Sequence, residues 1–418
     1  MNLFSATMRK FLPSLIWSTP AIATPLTPLD LLSCLFNKKG VVKQLEELFK
    51  RDYKGVYVFS CSLARWSLFF LLQAASLVTG RKKVIIPAYT CPTVGMAVVE
   101  AGLEPVAVDV DKYSFNIQPN KVKEEINKDI AAVVAVHSFG APCDMEALRA
   151  VTKEYGCFLI EDVAQAAGGT YKGQPLGSLG DAAIFSLGRG KVIRGHRGGI
   201  AVVQNPQLAE MLEKIFLLPS PNFLYLIKTY FEEWIINLLS TPELWVLASK
   251  IFASRVGQEA KSMEGPPYRL TGWQAKLAIR SYYRLSGSLQ RRRKFAKVLR
   301  RLLDRKGNWV LQNTSYEESA FMRFAFLVED PALRKRIIEN LRSYGFDATP
   351  FYSRPMYGYP WWPKTAKVKK CENAEAIVNG LVTLPLYMLT ERKCYKMAEI
   401  ILDTAKSGSS VSEVKDYG

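Results

Sequence analysis

From Val56 to Val203, short runs of β-branched and apolar residues alternate with segments of helical length. "KVIIPA", "EPVAVDV", "AAVVAVH", "CFLIEDV", "DAAIFS" and "GGIAVV" read as strands, and their near-continuous hydrophobicity predicts a sheet covered on both faces. Between them, Ala64 to Val78, Thr93 to Ala101, Pro119 to Asn127 and Met145 to Tyr155 read as amphipathic helices. Strands alternating with helices predict an α/β domain on a largely parallel sheet. In such sheets ligands sit beyond the carboxyl ends of the strands. His137 follows "VVAV", Glu161 and Asp162 follow "FLI", and Ser186 follows "AAIF", with Lys191 in the glycine-containing stretch beyond it. These residues are expected to meet at one edge.

The alternation stops at Phe216. From there to Gly265, Phe223, Ile227, Tyr230, Phe231, Trp234 and Leu238 recur at helical spacing, with Lys228, Glu232 and Glu233 among them. Those charges interrupt any apolar run of about 18 residues, so a membrane-spanning helix is disfavoured. The insertion (218–265) is expected to be a core or dimer-contact helix, or to lie on a membrane surface. "TGWQAKLAIRSYYRL" predicts a long helix, and "SGS" at Ser286 to Ser288 a hinge. "ESAFMRFAFLVED", a helix from Pro331 to Tyr344, and "GLVTLPLY" predict a smaller α+β domain. The expected organisation is an N-terminal arm (1–50), a large domain (51–285) and a small C-terminal domain (286–418).

A chain of 418 residues is too long for one compact core, which agrees with two domains. Its net charge of +18 points to an anionic partner such as a phosphorylated metabolite or a membrane surface. Between Arg284 and Lys306 ten residues are Lys or Arg against the single acid Asp304. No base-stacking aromatic series accompanies them, which sets nucleic acid aside. The seven cysteines are scattered and never form a CxxC pair, which argues against a disulfide framework or a zinc site and for a reducing cytoplasm. With two histidines, histidine-rich metal chemistry is not expected. "MRKFLPSLIWSTPAIATP" has the basic start and small-residue "AIA" of a signal peptide. Its prolines and hydroxyl residues spoil the apolar centre, so it reads as an arm packing on the protein.

A lysine, an aspartate and a phosphate cradle at one sheet edge would serve pyridoxal phosphate. The lysine amine forms a Schiff base with that cofactor, the acid pairs with its protonated ring nitrogen, and backbone amides, hydroxyls or a helix start hold its phosphate. Lys191, Asp162 and Ser186 can fill those roles. By spacing alone, Asp162 as a helix cap and Lys191 as a surface charge fit equally.

The stretch "IEDVAQAAGGTYKGQPLGSLGDAAIFSLGRGK", Ile160 to Lys191, closely resembles the sugar aminotransferases of the DegT/DnrJ/EryC1/StrS family. "IIPAYTCPTVGMAVVEAGLEPVAVDVD", "VHSFGAPCDMEAL" and "LVTLPLYMLT" extend the resemblance over most of Val56 to Asp403. It implies the fold of a fold-type I pyridoxal-phosphate transferase: a mainly parallel central sheet between helices, a smaller C-terminal α+β domain, and a homodimer. It makes Lys191 the Schiff-base lysine and Asp162 the partner of the ring nitrogen. Gln165 matches a position near the cofactor's 3-hydroxyl, and Ser186 matches a phosphate ligand. "ARWSLFFLL" aligns with the family's "GTAALHLAL", which sets Ala64, Arg65 and Trp66 toward the phosphate. Arg65 there replaces a neutral threonine contact by a charge-assisted one.

Departures from the family fall nearby. The aromatic ring that usually covers the cofactor falls at or near Cys91, with Tyr89 close by. "RGHRGG" replaces a "GEGG"-like stretch, which makes His196 and Arg197 candidate substrate contacts. His137 either reaches the bound molecules or caps its strand. "YSRPMY", Tyr352 to Tyr357, lacks a histidine frequent at that place. The implied activity is ping-pong transamination from glutamate to a nucleotide-linked keto-sugar, for amino-sugar, surface-polysaccharide or glycolipid synthesis. Alternatives are a pyridoxal-phosphate sugar dehydratase or deoxygenase, of which one branch replaces the lysine by histidine, and a membrane-surface binding protein on an aminotransferase fold.

Overall fold

The computed structural model describes residues 17–19, 26–34, 40–241, 244, 263 and 265–409. Residues 1–16 of the signal-like N-terminus and 245–262 of the insertion lie outside the described residues. In chain order the strands are β1 (Tyr57–Cys61), β2 (Lys83–Pro87), β3 (Glu104–Val108), β4 (Ile130–Val136), β5 (Phe158–Asp162), β6 (Thr170–Tyr171), β7 (Gln174–Pro175), β8 (Ala182–Ser186), β9 (Gly199–Val203), β10 (Trp309–Leu311), β11 (Arg323–Val328) and β12 (Leu381–Pro385).

A seven-stranded sheet has the order β1-β9-β8-β5-β4-β2-β3. From β3 through β8 neighbours run parallel, and β9 is antiparallel to both β8 and β1. The carboxyl ends of β4, β5 and β8 therefore lie on one edge, with Val136 opposite Asp162 and Asp162 opposite Ile184. Every residue of β4 and β5 is buried, as expected of parallel strands covered on both sides.

Strand alternation sends side chains to two separate cores. On one face Val134, Ile160, Ile184 and Ala201 pack with Leu68, Leu71 and Leu72 of helix Ala64–Thr79 and with Leu208 and Leu212 of helix Pro206–Ile215. On the other, Ala183, Phe185, Ile200 and Val202 meet helices Val41–Asp52 and Gly272–Tyr283, while Val133 and Leu159 meet helix Met145–Tyr155. Helix Val41–Asp52 shows why: Val41, Leu45, Leu48 and Phe49 fall on one side and are its buried residues. β1, which no strongly apolar run announces, is an edge strand exposed or half-buried from Tyr57 to Phe59.

β10, β11 and β12 form an antiparallel sheet covered by helices Leu285–Leu303, Pro331–Ser343 and Glu391–Ser409. The expected hinge at Ser286 to Ser288 is instead the first turn of helix Leu285–Leu303. Leu285 and Leu289, one turn apart, are buried there and hold it helical. The small sheet is tied to the active edge through the backbone: Ala320 N–H donates to Gly140 O at 3.0 Å and Met322 N–H to Phe139 O at 2.9 Å. The described part of the arm packs on the protein. Thr27 caps helix Pro28–Ser33, and Asp30 in that helix pairs with Arg280 and Arg284 at 2.7 and 2.8 Å.

One close approach sets the position of helix Ala64–Thr79. A Cβ on Gly199 would lie 2.4 Å from Ala64 Cα and 2.5 Å from Ala64 N. Neither backbone atom can swing aside. Gly199→Ala should therefore cost at least the upper part of the ~1–3 kcal/mol range for overpacking. Chemical unfolding with and without pyridoxal phosphate checks this, and a stability within about 0.5 kcal/mol of wild type would contradict the contact.

Candidate active site

Ser186 closes β8 and pairs with Gly199 of β9, which pairs in turn with Cys61 of β1. The chain leaving Cys61 enters helix Ala64–Thr79, so this row of partners brings the helix start beside Ser186. That start has no side-chain cap, which is the setting in which a helix N-terminus meets an anion, although Trp66 N–H turns back to Leu63 O at 3.0 Å. Arg65, in the first turn, is half-buried, and its Nη1 is buried without a hydrogen-bond partner. Trp66 is committed elsewhere, its indole N–H donating to Gly265 O at 3.1 Å.

Asp162 ends the neighbouring strand. It is 4% exposed, and its Oδ1 accepts the Ala164 amide at 2.9 Å. Burial pushes its carboxyl above the usual range, against the Ala164 amide and the positive charge of Lys191. The lysine turn is closed by Lys191 N–H donating to Gly188 O at 3.0 Å, and Gly188 N–H donates to Ser186 Oγ at 3.3 Å. Buried Val192 and Ile193 anchor the chain just past the lysine.

Gln165 spans the site's rim. Its Oε1 accepts the Phe139 amide at 2.9 Å, and its Nε2 donates to Tyr352 Oη at 3.2 Å. Tyr352, from the segment between β11 and β12, sets its ring 5.3 Å from that of Tyr89, tilted at 58°. Its phenol is pushed well up by burial, then by Cys91, Tyr89 and Asp162. Cys91 precedes helix Pro92–Glu100, with its Sγ 3.1 Å from Thr93 Oγ1. Tyr89, Cys91, Asp162, Gln165 and Tyr352 thus share one region. Tyr352 was not among the expected site residues; the "YSRPMY" stretch was its only signal.

Two of the candidate residues, His137 and His196, are buried. His137 is 0% exposed: its Nδ1 accepts the Cys143 amide at 3.0 Å, which leaves the ring proton on Nε2, 3.2 Å from Glu161 Oε2. His196 is also 0% exposed, with Nδ1 2.6 Å from Glu233 Oε2. Burial holds the His196 ring below its ordinary value, against the pull of Glu233. Neither imidazole presents an atom to a cleft. Arg197 remains partly exposed, its Nη2 3.7 Å from Glu232 Oε2.

The partner of His196 lies on the insertion. Glu233, in helix Phe223–Leu239, is fully buried, bonded to Arg194 and His196, and 3.5 Å from Arg189 Nε. Burial works against its charge, but His196, Arg194 and Arg189 hold its carboxyl below the usual glutamate range. Arg189, Arg194 and His196 flank Lys191 on both sides, so a single carboxylate clamps the lysine loop to the inserted helix.

The residues fit pyridoxal phosphate. The unpartnered Arg65 Nη1 beside an uncapped helix suits its phosphate, and the buried, charge-seeking Asp162 suits its protonated ring nitrogen. A mainly parallel sheet with this one reversed strand, set between helices, is the architecture of the fold-type I pyridoxal-phosphate enzymes. The profile of the DegT/DnrJ/EryC1/StrS aminotransferase family matches residues 35–401, and the chain belongs to that family of pyridoxal-phosphate-dependent aminotransferases.

An uncharacterised protein of Methanocaldococcus jannaschii is 25% identical over 352 residues, 82% of this chain and 84% of its own. Helicobacter pylori PseC, an aminotransferase involved in the biosynthesis of pseudoaminic acid, matches with a TM-score of 0.75 at 18% identity, over 93% of this chain and 100% of its own. The E. coli GDP-4-keto-6-deoxy-D-mannose-3-dehydratase with bound hydrated pyridoxal phosphate matches at 0.73 and 17%, over 92% and 99%. At such identities these two structures speak for the fold.

Two stability predictions follow from the buried carboxylates. Glu233→Ala leaves Arg194 buried without its carboxylate and should cost about 3–5 kcal/mol by chemical unfolding. Because the folded Glu233 value is depressed, its contribution is present above the ordinary value of 4.5 and is lost as pH falls through the folded value. The acid limb of stability should accordingly be shallower in Glu233→Gln. Asp162 has the opposite sign: its raised value means that the cofactor-free fold carries an unfavourable charge at neutral pH. Asp162→Asn, stripped of cofactor, should melt above wild type at neutral pH, with the gap closing in acid as the wild-type carboxyl protonates.

Proposed function

We propose that the protein transfers an amino group from glutamate to a keto-sugar carried on a nucleotide, with Lys191 as the catalytic base. The reading rests on the convergence of Lys191, Asp162, Ser186 and Arg65 at one sheet edge, within a family of sugar aminotransferases. The nucleotide is suggested by the dehydratase neighbour, whose name carries a GDP-linked keto-sugar, and by the chain's net charge of +18. Lys191 favours amino transfer over the dehydratase alternative, since a lysine occupies the position that one dehydrating branch fills with histidine.

Pyridoxal phosphate, when bound, supplies a carbonyl that accepts the amino group and a ring that takes up the electron pair. The chain's residues do the rest. Arg65 and Ser186 Oγ, with the first amides of helix Ala64–Thr79, hold the phosphate. The Asp162 carboxylate keeps a proton at the ring nitrogen, an interaction that also relieves its own burial. Lys191 Nζ, freed by the incoming amine, takes the proton from the α-carbon of the donor. Tyr352 and Gln165 close the rim from opposite parts of the chain and keep water from the site. The active unit is a homodimer.

Borohydride treatment of the holoenzyme should fix the cofactor on the peptide carrying Lys191, and an unmodified Lys191 in the peptide map would overturn its assignment. Lys191→Ala should lower amino transfer by about three or more orders of magnitude, since both covalent and general-base catalysis are lost. Release of 2-oxoglutarate from glutamate, followed by screening of nucleotide-linked keto-sugars, tests donor and acceptor separately.

A further inference from the structure

Helix Phe223–Leu239 is built inside out. Its buried positions are Thr229 and Glu233, whereas Phe223, Leu224, Ile227, Phe231, Ile235 and Leu238 stand outward. Phe223 and Leu224 are 73% and 75% exposed, and Phe231, Ile235 and Leu238 are 60%, 56% and 61%. A run of large apolar side chains left in water along a whole helix marks a surface that something covers.

The charges decide what covers it. Of the three charged residues of this helix only Lys228 is exposed; Glu232, one turn further on, is half-buried. Glu233 is turned in to Arg194 and His196, and Glu232 leans to Arg189 and Arg197. The apolar surface continues past Ile235 and Leu238 into a groove shared with Leu26, Pro28 and Met388. Leu26 and Met388 also border a second groove, where the exposed Arg291 stands at the rim. Apolar side chains flanked by cations, on a chain of net charge +18, match the acyl boundary and head groups of an anionic bilayer.

A two-fold contact with a second copy fits less well. Such a contact sets the same patch against itself, and the acid nearest Lys228 along the helix, Glu232, already faces Arg189 and Arg197 of its own chain. The helix cannot cross a bilayer: among the described residues no helix is long and apolar enough. At 17 residues it is about 26 Å long and suited to lying in the interface.

We infer that the outward face of helix Phe223–Leu239 is a docking surface for an anionic lipid bilayer. The protein is a peripheral enzyme whose inserted helix rests in the head-group layer, with Phe223, Leu224, Phe231, Ile235 and Leu238 toward the acyl chains. Lys228 and Arg291 meet lipid phosphates.

Flotation of the full-length protein tests this without reference to activity. Vesicles of phosphatidylcholine with about 30 mol% phosphatidylglycerol should carry the wild type upward, and phosphatidylcholine alone should carry about tenfold less or under. Phe231→Glu/Ile235→Glu changes two side chains already in water, and the independent variant Leu224→Glu changes a third. Each should keep the wild-type melting temperature and lose about tenfold or more of the bound fraction. Absence of wild-type flotation would overturn the inference, as would folded variants that float like wild type. Sedimentation supplies the remaining arm: if either variant splits an oligomer that the wild type forms, the face belongs to a second copy and the bilayer assignment is wrong.

Discussion

The active edge depends on one buried carboxylate that is not itself placed in the chemistry. Glu161, at 0% exposure, has four donors around it: Oε1 takes the amides of Leu179 and Gly180 at 2.7 and 2.8 Å, and Oε2 takes that of Gly177 at 2.9 Å and faces His137 Nε2 at 3.2 Å. A buried charge is tolerable only with such a complement. It joins the exit of β4, through His137, to the segment that leads into β8. The pleat of β5 then directs the next residue, Asp162, to the opposite face. The hold on Glu161 thereby fixes Asp162, and through strand pairing it fixes where β8 delivers Ser186 and the lysine loop.

Glu233 solves the same problem by other means. Its partners are cations and an imidazole rather than amides, and it comes from an inserted helix. Replacing such a cluster with apolar residues often costs nothing in stability, so its presence asks for another reason. The loop it grips has glycines at 188, 190, 195, 198 and 199, and only Val192 and Ile193 anchor its centre in the core. A loop so poor in side chains cannot be located by packing alone. Directional ionic contacts at Arg189, Arg194 and His196 locate it instead, and the inserted helix becomes part of the frame that holds Lys191.

The α/β pattern and the edge where Asp162, Ser186 and Lys191 gather were legible in the sequence, because buried parallel strands write themselves as continuous apolar runs. β1 escaped that signal since an edge strand with one wet side has no such run. "SGS" read as a hinge because local composition outweighed Leu285 and Leu289, whose burial is a tertiary fact. The partners of the two histidines were hidden for a related reason. A histidine beside a motif looks chemical, but the residues that claim these two lie 24 and 37 positions away. Tyr352 reaches Gln165 across 187 positions, a distance over which no local pattern speaks.

Asp162 and Arg65 give the fold a shared constraint. Burial works against the Asp162 charge, and Arg65 keeps a buried donor without a partner. Each is an unfavourable desolvation that the polypeptide alone does not offset. The two have opposite signs, and the proposed ligand is cationic at its ring nitrogen and anionic at its phosphate. Binding it would satisfy both groups at once, in one orientation only, because the reverse orientation would set phosphate against carboxylate. The free energy withheld from folding at these two positions would thus be recovered as affinity for such a ligand. This also gives a physical reason for arginine at position 65. A charged donor left unsatisfied costs more than a hydroxyl would, and it discriminates more sharply between the filled site and the empty one.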